Sequence, residues 1–176
     1  MGLDITAYSN IKRLDAHLND DGEAIYNSNG EVVEAYYFHV WKNPSFPGRA
    51  DELVDGAVYT YEDCTGHGVG YGGYYWWRNE LAEIAGYPVG EYESGHGKEA
   101  NHFGGVLNSD SGPFYELINF SDCEGFIGTA VATKLLADFK TFHDKAEEIG
   151  SLFFEQYKHW QSAMEMASNN GCISFH

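Results

Sequence analysis

Base is scarce in this chain: 10 Lys and Arg stand against 27 Asp and Glu over 176 residues, a formal net charge of −17. Non-specific binding to a nucleic-acid backbone needs a basic footprint, so direct binding of nucleic acid is not expected. Cysteine is scarce too, with three residues at no repeated spacing. That argues against a disulfide framework and for a reducing compartment. Proline numbers only four, and no apolar run has the length of a bilayer span. The opening MGLDITAYSNIKRLD has no apolar h-region, so a cytoplasmic protein without a membrane partner is expected.

Aromatic side chains and glycine are abundant instead: 13 Tyr, 11 Phe, 4 Trp and 21 Gly. Much of the chain therefore reads as loop and turn, with flat side chains to fill a core or line a pocket. Residues 3–8, LDITAY, alternate as a half-buried strand does. Asn29-Gly30 between two β-rich runs signals a hairpin, and residues 43–56 read as a loop. The stretch TGHGVGYGG has five glycines in nine residues, which predicts an irregular segment.

From Tyr74 the period becomes helical, through Trp77, Leu81 and Ile84, with Gly86 placed to end the helix. Residues 87–112 read as the longest irregular stretch, and PFYELINF, residues 113–120, as the best strand. Two helices close the chain. One carries Val131, Leu135, Phe139, Phe142 and Ala146 as its apolar stripe, with Thr129 as N-cap and Gly150 as breaker. The other carries Phe153, Tyr157, Trp160, Met164 and Ala167, with Gly171 at its end. One α+β domain over residues 1–176 is expected, a mainly antiparallel sheet packed with about three helices.

Two junctions deliver glycine into a helix start, where unpaired backbone N–H groups make an anion seat. The first is HGVGYGGYYWWRNEL, with Tyr71, Gly72, Gly73, Tyr75, Trp76 and Arg78. The second is FSDCEGFIGTAVATKLL, with Ser121, Asp122, Cys123, Glu124 and Gly125. Facing each other, they would form a nucleotide-sized pocket with aromatic faces for a base and Arg78 on a phosphate. Neither matches a P-loop or a dinucleotide fingerprint.

Other chemistries have weaker support. Cys123 just ahead of a helix would favour thiolate, yet Asp122 and Glu124 oppose it and no histidine is singled out as its base. Cys64, His67, His96 and His102 offer zinc-type donors without the usual paired spacing. Ser121 and Asp122 suit the capping of turn amides better than acid–base work. No catalytic residue, metal site or cofactor is therefore assigned.

Taken together, MGLDITAYS, GYYWWRNELAEIAGY and PFYELINFSDCEGFIG followed by AVATKLLADF resemble a family of small uncharacterised proteins of tailed phages and prophages. The resemblance spans most of the chain. Its motifs fall on Tyr71, Gly72, Trp77 and Arg78, and on Phe120, Ser121, Asp122, Cys123, Glu124 and Gly125. It implies a phage accessory protein in the bacterial host cytoplasm, of a class that often counters host defence, and it supplies no catalytic residues.

Three functions follow as expectations. The first is capture of a nucleotide-derived host immune signal, which the two glycine-opened helix starts motivate. The second is an acidic nucleic-acid mimic that blocks a host defence protein, motivated by the net charge. The third is a Cys- or metal-dependent hydrolase of a nucleotide. A homo-oligomer is compatible with each.

Overall fold

Alternation along GLDITAYS decides the centre of the fold, because it turns Leu3, Ile5 and Ala7 to one face and Asp4, Thr6 and Tyr8 to the other. The computed structural model describes residues 2–22, 25–95 and 97–176. In chain order the elements are β1 (Gly2–Ser9), β2 (Lys12–Arg13), β3 (Ala16–Leu18), β4 (Ile25–Asn27), β5 (Tyr37–His39), β6 (Val58–Thr60) and β7 (Asp63–Gly70). Then come α1 (Tyr71–Ile84), β8 (Gly90–Ser94), β9 (Gly97–Asn101), α2 (His102–Leu107) and α3 (Tyr115–Ile118). The chain closes with β10 (Gly125–Gly128), α4 (Thr129–Thr141), α5 (His143–Ile149), α6 (Ser151–Ala167) and β11 (Cys172–Phe175).

The main sheet has the order β10-β11-β1-β7, antiparallel throughout. Helices cover the Leu3–Ile5–Ala7 face. Tyr74 and Trp77 of α1 stack on Trp160 of α6 with centroids 5.4 and 5.6 Å apart. Leu135 and Phe139 of α4 and Tyr157 of α6 are fully buried in the same core. Burial of each such side chain is worth about 1.5–3 kcal/mol. The sheet β2-β6-β5 lies on the other side, where Phe38, Tyr59, Phe126 and Cys172 form a second core. Burial pushes the Cys172 thiol pKa far up and keeps it protonated. This is one α+β domain with antiparallel sheets, as the sequence predicts, though three of the six helices among the described residues are short additions.

Five local expectations are corrected. TGHGVGYGG is no loop: residues 63–70 pair along the whole of β1, and Gly72 and Gly73 lie in the first turn of α1. Gly68 leaves room for the side chain of Asp4 on the neighbouring strand, since a Cβ there would lie 2.6 Å from Asp4 Oδ1. Residues 87–112 hold the β8–β9 hairpin and α2. The Asn29-Gly30 turn joins β4 to a single bridge, Tyr26 to Val32, and the next strand pairs with β6 instead. PFYELINF is a helical turn, because Phe114, Leu117 and Ile118 at spacings of three and one are the fully buried residues. The first closing helix also breaks earlier than expected, at Phe142, with α5 filling the interval to Gly150.

Two predictions follow from this packing. A Cβ on Gly105 would overlap the Pro88 carbonyl oxygen, whereas one on Gly72 meets nothing within 4 Å. Gly105→Ala is therefore expected to cost about 1–3 kcal/mol, and Gly72→Ala to gain up to about 1 kcal/mol of helix propensity, both read from urea midpoints. Burial also pushes the hydroxyls of Tyr8, Tyr74 and Tyr87 from the ordinary 10.0 up to about 12. The folded state thus holds three protons that the unfolded chain loses. Stability should be intact below pH 10 and fall between about pH 10 and 12, measured as Tm against pH.

Candidate functional site

Arg78 follows Tyr74 by one helical turn of α1, so both project from the same face into the protein. Its guanidinium lies 4.3 Å from the Tyr74 ring centroid and 5.0 Å from that of Phe103 in α2. Such a cation between two aromatic faces gains about 0.5–2 kcal/mol per ring, most where water is excluded. Nη1 donates to the Ile118 and Phe120 carbonyls at 3.3 and 3.1 Å. These are orphan carbonyls at the C-terminal end of α3, where a cation is favoured. Nη2 is 3.9 Å from Asp122 Oδ2, a loose pair because the Asp122 side chain is 55% exposed and that of Arg78 only 6%. Nε has no acceptor among the described residues.

Arg49 holds the same segment from another side, with Nε donating to Glu116 O at 3.1 Å and Nη2 to Asn119 O at 2.9 Å. Lys134 of α4 completes the clamp by donating to Gly112 O, Glu116 Oε2 and Asp138 Oδ2 at 2.6, 2.6 and 2.9 Å. Three of the chain's ten basic residues therefore fix residues 112–120. With its carbonyls taken by side chains, the segment has no call for a strand partner.

Phe103 is placed as firmly. Its N–H donates to Asn79 Oδ1 at 3.1 Å, and Asn101 caps α2 by accepting from Gly104 N at 2.9 Å. Its ring sits edge-on to Tyr75 and Tyr92, each 5.5 Å away. Those two hydroxyls lie in hydrogen-bond contact and each is 2.9 Å from Glu99 Oε2, so one donates to the carboxylate and the other to the carboxylate or to its neighbour's oxygen. Burial and these bonds push the Tyr92 hydroxyl far up, so it stays a donor.

Between these elements opens a cavity of about 390 Å³ walled by Phe46, Phe103 and Phe120, with Arg78, Asn119, Ser121 and Asp122 as its polar residues. A second, of about 130 Å³, shares Phe46 and Phe120 and is lined by Lys42, Asn43 and Arg49. Aromatic rings line both, Arg78 and Asp122 belong to the first, and Lys42, Arg49 and Asp51 to the second, so the pair suits a flat ring joined to an anionic group.

The expected site residues thus divide. Arg78, Ser121 and Asp122 come together, and Tyr75 stands behind Phe103. Tyr71, Gly72, Gly73 and Trp76 do not join them. Trp76 is 63% exposed, and the glycines of that turn meet no ligand-like constriction. Ser121 serves its turn, Oγ accepting from Cys123 N at 3.3 Å and Glu124 N at 3.0 Å. Cys123 and Glu124 are exposed, and β10 separates both from the helix they were expected to open. Gly125, with φ +122°, lets the chain turn beside Asn43 and Phe120.

The two helix starts do not face each other. They lie on opposite edges of the sheet and at opposite ends of β1, with Gly70 beside Gly2 and Gly128 beside Cys172, which pairs with Tyr8. The α4 start already has its anion, since Glu52 Oε1 accepts from Ala130 N at 2.9 Å. Thr129 is not the cap: its hydroxyl donates to Gly171 O at 2.7 Å. Cys64 and His67, three apart on β7, point to opposite faces. His102 bonds Tyr87 O at 2.7 Å, and His96 lies outside the described residues. Among the described residues no group of three metal-type donors occurs, and no helix is long and apolar enough to cross a membrane. Phe103 of α2 and the loop residues Lys42, Phe46 and Arg49 had no sequence signal, because both segments are distant in the chain from the residues they join at the site.

Comparison with protein-family models, curated proteins and solved structures gives no match to this chain.

The clamp predicts unequal costs. Arg78→Ala leaves two buried carbonyls without donors and is expected to lose about 3–5 kcal/mol. Asp122→Asn should lose less than about 1 kcal/mol, given its exposure. Urea unfolding of both variants checks the contrast.

Proposed function

We propose that this chain is a binding protein that captures a small nucleotide-type ligand. In the phage setting that its motifs suggest, it acts in the host cytoplasm and sequesters a nucleotide-derived immune signal. The observation that carries the reading is the buried Arg78, with an Nε donor lacking an acceptor, on a cavity walled by three phenylalanines. A base stacks among these rings, and Asp122 accepts from its amino edge. The phosphate lies toward Lys42 and Arg49, whose two positive charges outnumber the single Asp51 carboxylate of that cavity and offset the acidic field at short range. No step of this needs a nucleophile or a metal.

A second reading has one observation in its favour. With Arg49, Arg78 and Lys134 bound internally, the surface is more one-sidedly acidic than the formal −17 suggests. Such a surface suits a mimic of nucleic-acid charge that occupies a host defence protein.

Isothermal titration with cyclic dinucleotides and ADP-ribose-type nucleotides tests the proposal. One member should bind one to one, and Phe103→Ala should weaken it about 5–100-fold, the worth of one base–aromatic stack. The nucleotide should be recovered unchanged, which separates capture from hydrolysis. No heat with any of them would reject the reading. Salt-sensitive capture of a basic host nuclease would then support the mimic.

A further inference from the structure

On the helical face of the main sheet, far along β7 from the cavity of Arg78, two imidazoles meet. His67 of β7 and His159 of α6 have ring centroids 4.6 Å apart with planes at 70°. His67 Nε2 donates to Gln156 Oε1 at 2.8 Å, so its lone pair is on Nδ1. His159 is exposed and makes no hydrogen bond among the described residues. Gln156, His159 and Ser162 follow one another at intervals of three on α6, a single stripe facing the strand. Thr65, His67, His159 and Ser162 line one cavity of about 180 Å³.

We propose that this cavity is a binding site for a divalent transition-metal ion held by His67 and His159. Two imidazoles bound cis, with metal–nitrogen bonds of about 2.0–2.1 Å, have centroids roughly 4.5–5.2 Å apart, and the observed spacing falls in that interval. The Gln156 contact is the outer bond that a metal-ligating histidine makes: it fixes the tautomer and the ring orientation. The cavity has room for waters, at about 30 Å³ each, to complete the coordination, beside the Thr65 and Ser162 hydroxyls. Imidazole with water selects copper, nickel or zinc over magnesium and calcium, in the order copper above nickel. The acidic surface raises the local cation concentration. The site is independent of the nucleotide reading, as it shares no residue with that cavity.

The test uses the untagged full chain, Ni²⁺ by calorimetry and Cu²⁺ by electron paramagnetic resonance. One Ni²⁺ should bind per chain, and the Cu²⁺ spectrum should carry coupling to two imidazole nitrogens. His67→Ala and His159→Ala should each weaken Ni²⁺ binding at least tenfold and leave one coupled nitrogen. Gln156→Ala should weaken it about 10–100-fold, and His102→Ala should change nothing. Should His67→Ala fail to fold, the exposed His159 still carries the test. Unchanged affinity in His159→Ala, or no binding at millimolar Ni²⁺, would overturn the proposal.

Discussion

The Arg78 guanidinium, held between Tyr74 and Phe103 and bonded to the Ile118 and Phe120 carbonyls, is the contact on which the arrangement around the site depends. It joins α1, α2 and the turn after α3, three pieces distant in the chain. A buried cation is stable only where carbonyls and π faces replace its water, and those groups leave its position little freedom. The cavity opens between the elements that are fixed around the guanidinium. Arg49 and Lys134 repeat the device on the same segment. In so acidic a chain, concentrating cations there organises a stretch with little regular structure of its own.

The sheet decides what can meet. Placing β7 and β10 on opposite edges separates the two glycine-opened helix starts, and the side chain of Glu52 caps the second of them. What converges instead is side chains from α1, α2, the turn at 119–122 and the loop carrying Lys42, Phe46 and Arg49. The polar bonds among Tyr75, Tyr92 and Glu99 then key the β8–β9 hairpin to α1 and hold Phe103 in place.

Elements governed by local period were legible. The alternation of β1 and the apolar stripes of α1 and α6 appear in the sequence as they do in the fold. Elements governed by distant partners were not. The apolar spacing of PFYELINF fits a strand or a helical turn, and two arginines elsewhere in the chain decide between them. The glycines of β7 look like a loop until β1 is paired along them, with Asp4 across from Gly68. For the site, Arg78, Ser121 and Asp122 stood out by residue type, but Phe46 and Phe103 became visible only once their segments met. His67 attracted attention for Cys64 and His102, whereas its neighbour is His159.

The central claim is that Arg78 is locked in place at the cavity wall, its buried Nε–H without a protein acceptor among the described residues. Nitrogen-15 NMR of the arginine side chains in the free protein tests it most directly. A fixed guanidinium predicts a slowly exchanging Arg78 Nε–H and resolved Nη signals at 25 °C, with the Nε–H shifting when ADP-ribose or a cyclic dinucleotide binds. A single averaged Nη signal and rapid Nε–H exchange, as in solvent-exposed arginine, would contradict it.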